Sequence, residues 1–142
     1  MTPGLALLQK YLLEGRVLRS HMFTAKPLDD ILNGRCLQSF DLEYQRVYRE
    51  LEGHTRNVTI PEDELTAVND IREAAYRTAL AFSQSPEMAT AICDDFELLG
   101  ASLAAGYSDP WLNGLWLSYR SGVIPHRALQ PQAGQLEDFI DY

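Results

Sequence analysis

Apolar residues recur at spacings of three and four along nearly the whole chain, and runs of strict alternation are scarce. A period near 3.6 residues is typical of amphipathic helices, whereas strict alternation is typical of strands. The pattern therefore predicts an all-α fold, a single-domain bundle of five to six helices with antiparallel helical hairpins. With 142 residues, 46% of them hydrophobic, the chain is long enough to form one packed core.

Start and stop signals set the predicted helix boundaries. Proline in a first turn, preceded by a small polar residue, indicates where a helix begins, and glycine indicates where it ends. These signals predict helices at residues 3–14, 39–52, 59–84, 86–106 and 110–122, with Gly53 ending the second, and a shorter helix ending at residues 33–34.

The two long helices each carry a predicted buried stripe. The helix at 59–84 opens with a capping box formed by Thr59 and Glu62. Its buried stripe is predicted to comprise Leu65, Val68, Ile71, Ala75, Ala79 and Phe82. The stripe of the next helix is predicted to comprise Met88, Ile92, Phe96, Leu99 and Leu103. Because the break between the two helices is short, we expect them to form an antiparallel hairpin.

The densest apolar run is SDPWLNGLWLSYRSG, residues 108–122. One face of this predicted helix carries Trp111, Leu112, Leu115, Trp116 and Tyr119. A one-sided aromatic stripe is typical of a helix that seals a core, so we interpret the run as packing. Leu98 and Leu117 lie off the stripes of their helices and are either single exposed leucines or parts of a contact patch.

Residues 1–126 are predicted to form the helical domain and residues 127–142 a C-terminal arm. The helical pattern lapses in VIPHRALQPQAGQ, residues 123–135, which contains two prolines and a glycine. The arm ends in LEDFIDY, where Leu136, Phe139 and Ile140 have i, i+3, i+4 spacing. Acidic residues separate these apolar side chains. Two interpretations remain open, a short docking segment for a partner groove or an end that folds back onto its own domain.

The negative charge is concentrated in the second part of the chain. Residues 1–60 hold eight Lys or Arg against seven Asp or Glu, net +1, whereas residues 61–142 hold four against thirteen, net −9. Such a surface repels nucleic acid and favours either a basic protein partner or no partner. The predicted partner-facing acids are Asp63, Asp70, Glu73, Asp94 and Glu97, with Leu98, Leu117, Leu136, Phe139 and Ile140 as apolar contacts. Asp94 and Asp95 are interpreted as parts of a solvated acidic face.

No catalytic signature is present. The sequence lacks a P-loop, G-x-G-x-x-G, G-x-S-x-G and H-E-x-x-H, and its three histidines lie in or beside predicted loops. Neither a metal site nor a cofactor is expected. Cys36 and Cys93 fit no metal-ligand spacing and are expected to be small buried residues in a reducing compartment. With neither a leader nor a membrane span in the sequence, we expect a cytoplasmic location.

These features favour a non-enzymatic protein that binds a basic protein. In size and charge the chain is similar to the small acidic helical inhibitors and immunity proteins that neutralise nucleases and other bacterial toxins. The alternative is a ligand-binding or enzymatic bundle with an internal aromatic pocket, lined by Arg72, Tyr44, Tyr76, Trp111, Trp116 and Tyr119. A homodimer that uses one of the helix faces is a third possibility.

Overall fold

The computed structural model describes residues 1–141, which form α-helices and no strand. The helices are α1 (Pro3–Leu13), α2 (Leu28–Arg35), α3 (Gln38–Thr55), α4 (Glu62–Ser83), α5 (Pro86–Ala105), α6 (Pro110–Arg120) and α7 (Leu136–Ile140). A short 3₁₀ helix, Ser20–Phe23, connects α1 to α2. The predicted all-α class is confirmed. The described residues contain seven helices rather than five or six, because the end of the arm adds α7.

The α4–α5 hairpin is the centre of the fold, and these two helices make the most extensive contact with each other. The chain turns at Gln84, whose φ of 54° is left-handed, and the Ser85 hydroxyl then accepts a hydrogen bond from the Met88 N–H at 3.2 Å. The two helices are in contact at Gly100, where a Cβ would lie 3.5 Å from Val68, an ordinary van der Waals distance. The predicted stripe of α5 is confirmed, because all five of its residues are buried.

Helix α6 seals the core as the aromatic run predicted. Its five stripe residues are all buried, with Trp116 and Tyr119 completely so. Asp109 caps the helix by accepting hydrogen bonds from the N–H groups of Trp111 and Leu112 at 2.9 and 3.2 Å. The same carboxylate also pairs with Arg46 of α3 at 2.9 Å. One side chain therefore fixes both the start of α6 and its position beside α3.

The predicted stripe of α4 is wrong at both ends. Leu65 is 53% exposed and Phe82 is 42% exposed, whereas Ala67 and Ala74, which the prediction left out, are buried. The reason is that α4 turns its alanine-rich side toward the rest of the bundle, where small side chains allow close packing. The larger apolar residues at its two ends consequently face outward.

Two predicted helix boundaries are also wrong. Helix α4 begins at Glu62 after Pro61 and has no side-chain cap, so Thr59 does not form the expected capping box. Helix α3 continues through Gly53 to Thr55. The continuation is stabilised by a tertiary hydrogen bond, because the His54 ring lies 2.8 Å from the carbonyl oxygen of Ala105. Cys36, expected to be buried, is exposed just after α2, whereas Cys93 is buried.

The C-terminal arm folds back onto the protein, which is one of the two interpretations that the sequence left open. The segment between α6 and α7 has no regular secondary structure, and α7 packs against α1 and α6. A Cβ on Gly114 would overlap the carbonyl oxygen of Gln130, so only glycine lets the arm lie this close to α6. None of the helices within residues 1–141 combines enough length with enough apolar character to span a bilayer.

Candidate partner-binding surface

The acids predicted to face a partner are all exposed. Asp63, Asp70 and Glu73 lie on α4, and Asp94 and Glu97 lie on α5. Spacings of seven and three residues place the α4 acids on one side of that helix. A weak ion pair of 3.9 Å between Arg72 and Glu97 connects the two helices. Because both partners are substantially exposed, the pair adds little stability.

A groove of about 240 Å³ lies between α3 and α5, and we call it the α3–α5 groove. Its lining residues are Tyr44, Tyr48 and Leu51 from α3 and Asp94, Glu97 and Leu98 from α5. Tyr48 is 53% exposed, whereas Leu51 and Leu98 are buried. Burial raises the pKa of Asp94, and the neighbouring carboxylates of Asp95 and Glu97 raise it further. The groove thus combines aromatic and apolar side chains with crowded negative charge.

A second groove, of about 340 Å³, lies between α4 and α5. It is lined by Arg72, Glu73, Tyr76, Arg77 and Cys93. Burial raises the pKa of the Cys93 thiol more than Arg72 lowers it, so this cysteine is a poor nucleophile at neutral pH.

The six residues of the predicted ligand pocket do not meet in one place. Arg72 and Tyr76 line the α4–α5 groove, and Tyr44 lines the α3–α5 groove. The aromatic residues of α6 instead fill the core. Trp111 packs edge-on against Phe40 and Tyr44, with ring centroids 5.3 and 5.9 Å apart, and Tyr119 lies 4.8 Å from Phe96. Trp116 donates a hydrogen bond of 2.6 Å to the carbonyl oxygen of Phe139.

A buried ion pair between α2 and α5 was missed by the sequence analysis. Asp95 is completely buried and accepts two hydrogen bonds from Arg35, at 2.7 and 2.9 Å. The Tyr119 hydroxyl donates a third, at 2.6 Å, and the Arg35 guanidinium lies 4.5 Å from the centroid of the Phe40 ring. Burial lowers the pKa of Arg35, but Asp95 raises it by more. The same burial and the same carboxylate raise the pKa of Tyr119 well above 10.0.

The interpretation of Asp95 as solvated is therefore wrong, and that of Asp94 as exposed is right. A signal was available, because on a helix of 3.6 residues per turn Asp95 lies about 60° from Ile92, at the edge of the buried stripe. Its partner Arg35, sixty positions away, gave no such signal.

The apolar residues predicted to contact a partner have different environments. Leu98 lies off the α5 stripe, so an exposed position was expected, but only 3% of it is exposed. The reason is that α3 packs over it. Leu117 is half-buried and lines a different groove, formed by α6 and the arm, so the two leucines do not form one patch. Leu136 and Ile140 are buried in the fold itself, and Phe139 is half-buried.

No group of three or more His, Cys, Asp or Glu side chains within residues 1–141 is placed to hold a metal ion.

In comparisons with known proteins, a family model described as "Immunity protein PIM1" matches residues 7–126. A search of curated proteins found no match.

Proposed function

The chain belongs to the PIM1 family of immunity proteins, and we propose that it neutralises a basic protein toxin by binding it through the exposed acidic side of α4 and α5. Membership in an immunity protein family implies a protein partner. Our proposal adds that the partner is basic, that it binds this surface and that the protein acts in the cytoplasm. The cytoplasmic location is supported by two cysteines that are both free thiols.

The observation that carries the proposal is the exposure of all five predicted acids on two adjacent helices. Their charge belongs to the part of the chain with a net charge of −9. A field of one sign attracts an oppositely charged protein and raises its association rate, whereas it repels nucleic acid. An inhibitor has to reach its toxin before the toxin reaches its target, so a high association rate suits this function.

Co-expression tests the function directly. The full chain is used to capture its partner from a lysate of the source organism, and the captured protein is expressed alone and with the chain. We expect the captured protein to be basic, to arrest growth when expressed alone and to be harmless when the chain is present. Growth arrest that persists beside the chain, or a captured protein without toxicity, contradicts the proposal.

Variants in which acidic side chains are replaced by neutral amides test the surface. We compare Asp70→Asn with Glu73→Gln on α4 against a control, Asp29→Asn with Asp30→Asn on α2, which removes the same charge from another exposed site. The α4 variant is expected to associate about tenfold more slowly at low salt, because it removes steering charge. The control is expected to stay close to the unmodified chain. Equal effects of the two variants would mean that net charge, and not this surface, guides the partner.

A further inference from the structure

We propose that the α3–α5 groove receives an arginine side chain of the toxin. This inference rests on the proposed function and names the point of the acidic surface at which the partner is held. The groove joins the three features that a guanidinium group requires: an aromatic face, carboxylates and an apolar floor.

The aromatic face is provided by α3. Tyr48 is 53% exposed and its ring stands at the groove without being covered. Tyr44, the other ring of the lining, makes an edge-on contact with Trp111 and a tilted contact with Phe40, with ring centroids 5.9 Å apart in both cases. The Arg35 guanidinium already lies 6.0 Å from the centroid of the Tyr44 ring, so Tyr48 is the ring on which an incoming guanidinium would stack. The methylene groups of the arginine would lie on Leu51 and Leu98.

The negative charge is provided by α5. Asp95 is neutralised by Arg35, but within residues 1–141 the side chain of Asp94 makes no hydrogen bond and no ion pair. Glu97 has only its long contact with Arg72, at 3.9 Å. Burial and the carboxylates of Asp95 and Glu97 raise the pKa of Asp94 by more than Arg35 and Arg72 lower it, so a bound cation would relieve a repulsion that remains in the groove.

Neighbouring grooves do not have this character. The groove between α1 and α4 and the groove between α4 and α5 both contain Arg77, and the second also contains Arg72. These cations would repel an incoming guanidinium. The lining of the α3–α5 groove contains two acids and no basic residue. Charge complementarity therefore selects this groove over the others along the same surface.

The probe is a Gly-Arg-Gly peptide with blocked ends. Its binding is detected by nuclear magnetic resonance of the isotope-labelled full chain. A peptide with citrulline in place of arginine is the matched control, because it has the same shape without the charge. We expect the arginine peptide to shift the amide signals of Tyr48, Asp94, Glu97 and Leu98 in a saturable way, and the citrulline peptide to leave them in place.

Three variants locate the binding. Tyr48→Ala is expected to weaken it by about two- to fivefold, the range of an exposed cation–π contact. Asp94→Asn combined with Glu97→Gln is expected to weaken it by about tenfold, as for two partly exposed ion pairs. Asp29→Asn with Asp30→Asn, which makes the same charge change on α2 and outside the acidic surface, is expected to leave it unchanged. Circular dichroism confirms that each variant is folded.

Several outcomes overturn the inference. Signal shifts that map outside the groove, or equal shifts with the citrulline peptide, would show that no arginine site is present there. The same shifts with Ca²⁺ alone would show that any cation binds. The same shifts on concentrating the protein alone would show that a second copy occupies the groove. Each leaves the co-expression result untouched, so failure of the groove and failure of the immunity function can be told apart. If the groove variants protect cells as well as the unmodified chain does, the immunity function stands and the assignment of the arginine to this groove is wrong.

Discussion

Removing one member of the buried Arg35–Asp95 pair is expected to destabilise the protein strongly. In Arg35→Met the Asp95 carboxylate, which is 0% exposed, loses both hydrogen bonds from the guanidinium and keeps the one from the Tyr119 hydroxyl at 2.6 Å. Leaving a buried charge without its partner costs about 3–5 kcal/mol. Since a domain of this size has a free energy of unfolding of about 5–15 kcal/mol, a large fraction of the stability is at stake.

The assay is urea denaturation followed by circular dichroism, together with a thermal melt. At about 2–4 °C per kcal/mol, the midpoint of Arg35→Met should fall by about 6–20 °C. Arg72→Met is the matched control, because Arg72 is also paired with an α5 carboxylate, but at 3.9 Å and at the surface. Its free energy of unfolding should change by less than about 1 kcal/mol.

A double variant separates the pair from its surroundings. Arg35→Met with Asp95→Leu removes both charges, so no unpaired ion is left inside. The groups that lose a hydrogen bond are neutral, namely the Tyr119 hydroxyl and the carbonyl oxygens of Pro125 and Ala91. We expect the double variant to be clearly more stable than the sum of the two single changes predicts, since replacing a whole buried pair is often nearly neutral. A loss below about 1 kcal/mol in Arg35→Met, or simple additivity in the cycle, would refute the reasoning.

Three further results are expected. The thiol of Cys36 should react with a disulfide reagent much faster than that of Cys93, which is buried and has a raised pKa; equal rates would contradict this burial. Above pH 10 the free energy of unfolding should fall, because Tyr44 and Tyr119 keep their protons in the folded state after the unfolded chain has released them, and Tyr119→Phe should reduce that fall in an alkaline titration. Gly114→Ala should lower the melting temperature, since its methyl group would overlap the backbone of the arm; an unchanged melting temperature would show that the arm is loosely held.

The parts of the fold that could be predicted from the sequence are those set by local chemistry. Helices begin where a small polar residue precedes a first-turn proline, as predicted, and the caps are Thr2, Ser85 and Asp109. Capping is predictable because it depends on residues two or three positions away. The stripe of α5 was recognisable because its large apolar side chains repeat on one face. The burial of α4 was not, since alanines carry a weak hydrophobic signal and the direction of the helix is decided by close approach to its neighbours.

The candidate surface divides in the same way. The exposed acids of α4 and α5 follow from helical spacing alone, so they could be predicted. The α3–α5 groove depends on two helices that are distant in sequence, and its floor residue Leu98 was expected to face solvent. The Arg35–Asp95 pair is non-local as well, and hydrophobic periodicity contains no information on which cation meets a buried acid.

The two ends of the described chain hold each other, which gives truncation of the arm a definite expected result. Glu137 accepts a hydrogen bond from the N–H of Gly4 at the start of α1, and the Tyr11 hydroxyl donates to Asp141 at 2.8 Å. Leu136 and Ile140 are buried, so removing residues 134–142 should cost about 3 kcal/mol or more and lower the melting temperature. Loss of a partner on truncation would then reflect a damaged fold, and an unchanged melting temperature would instead return the arm to the role of a docking segment.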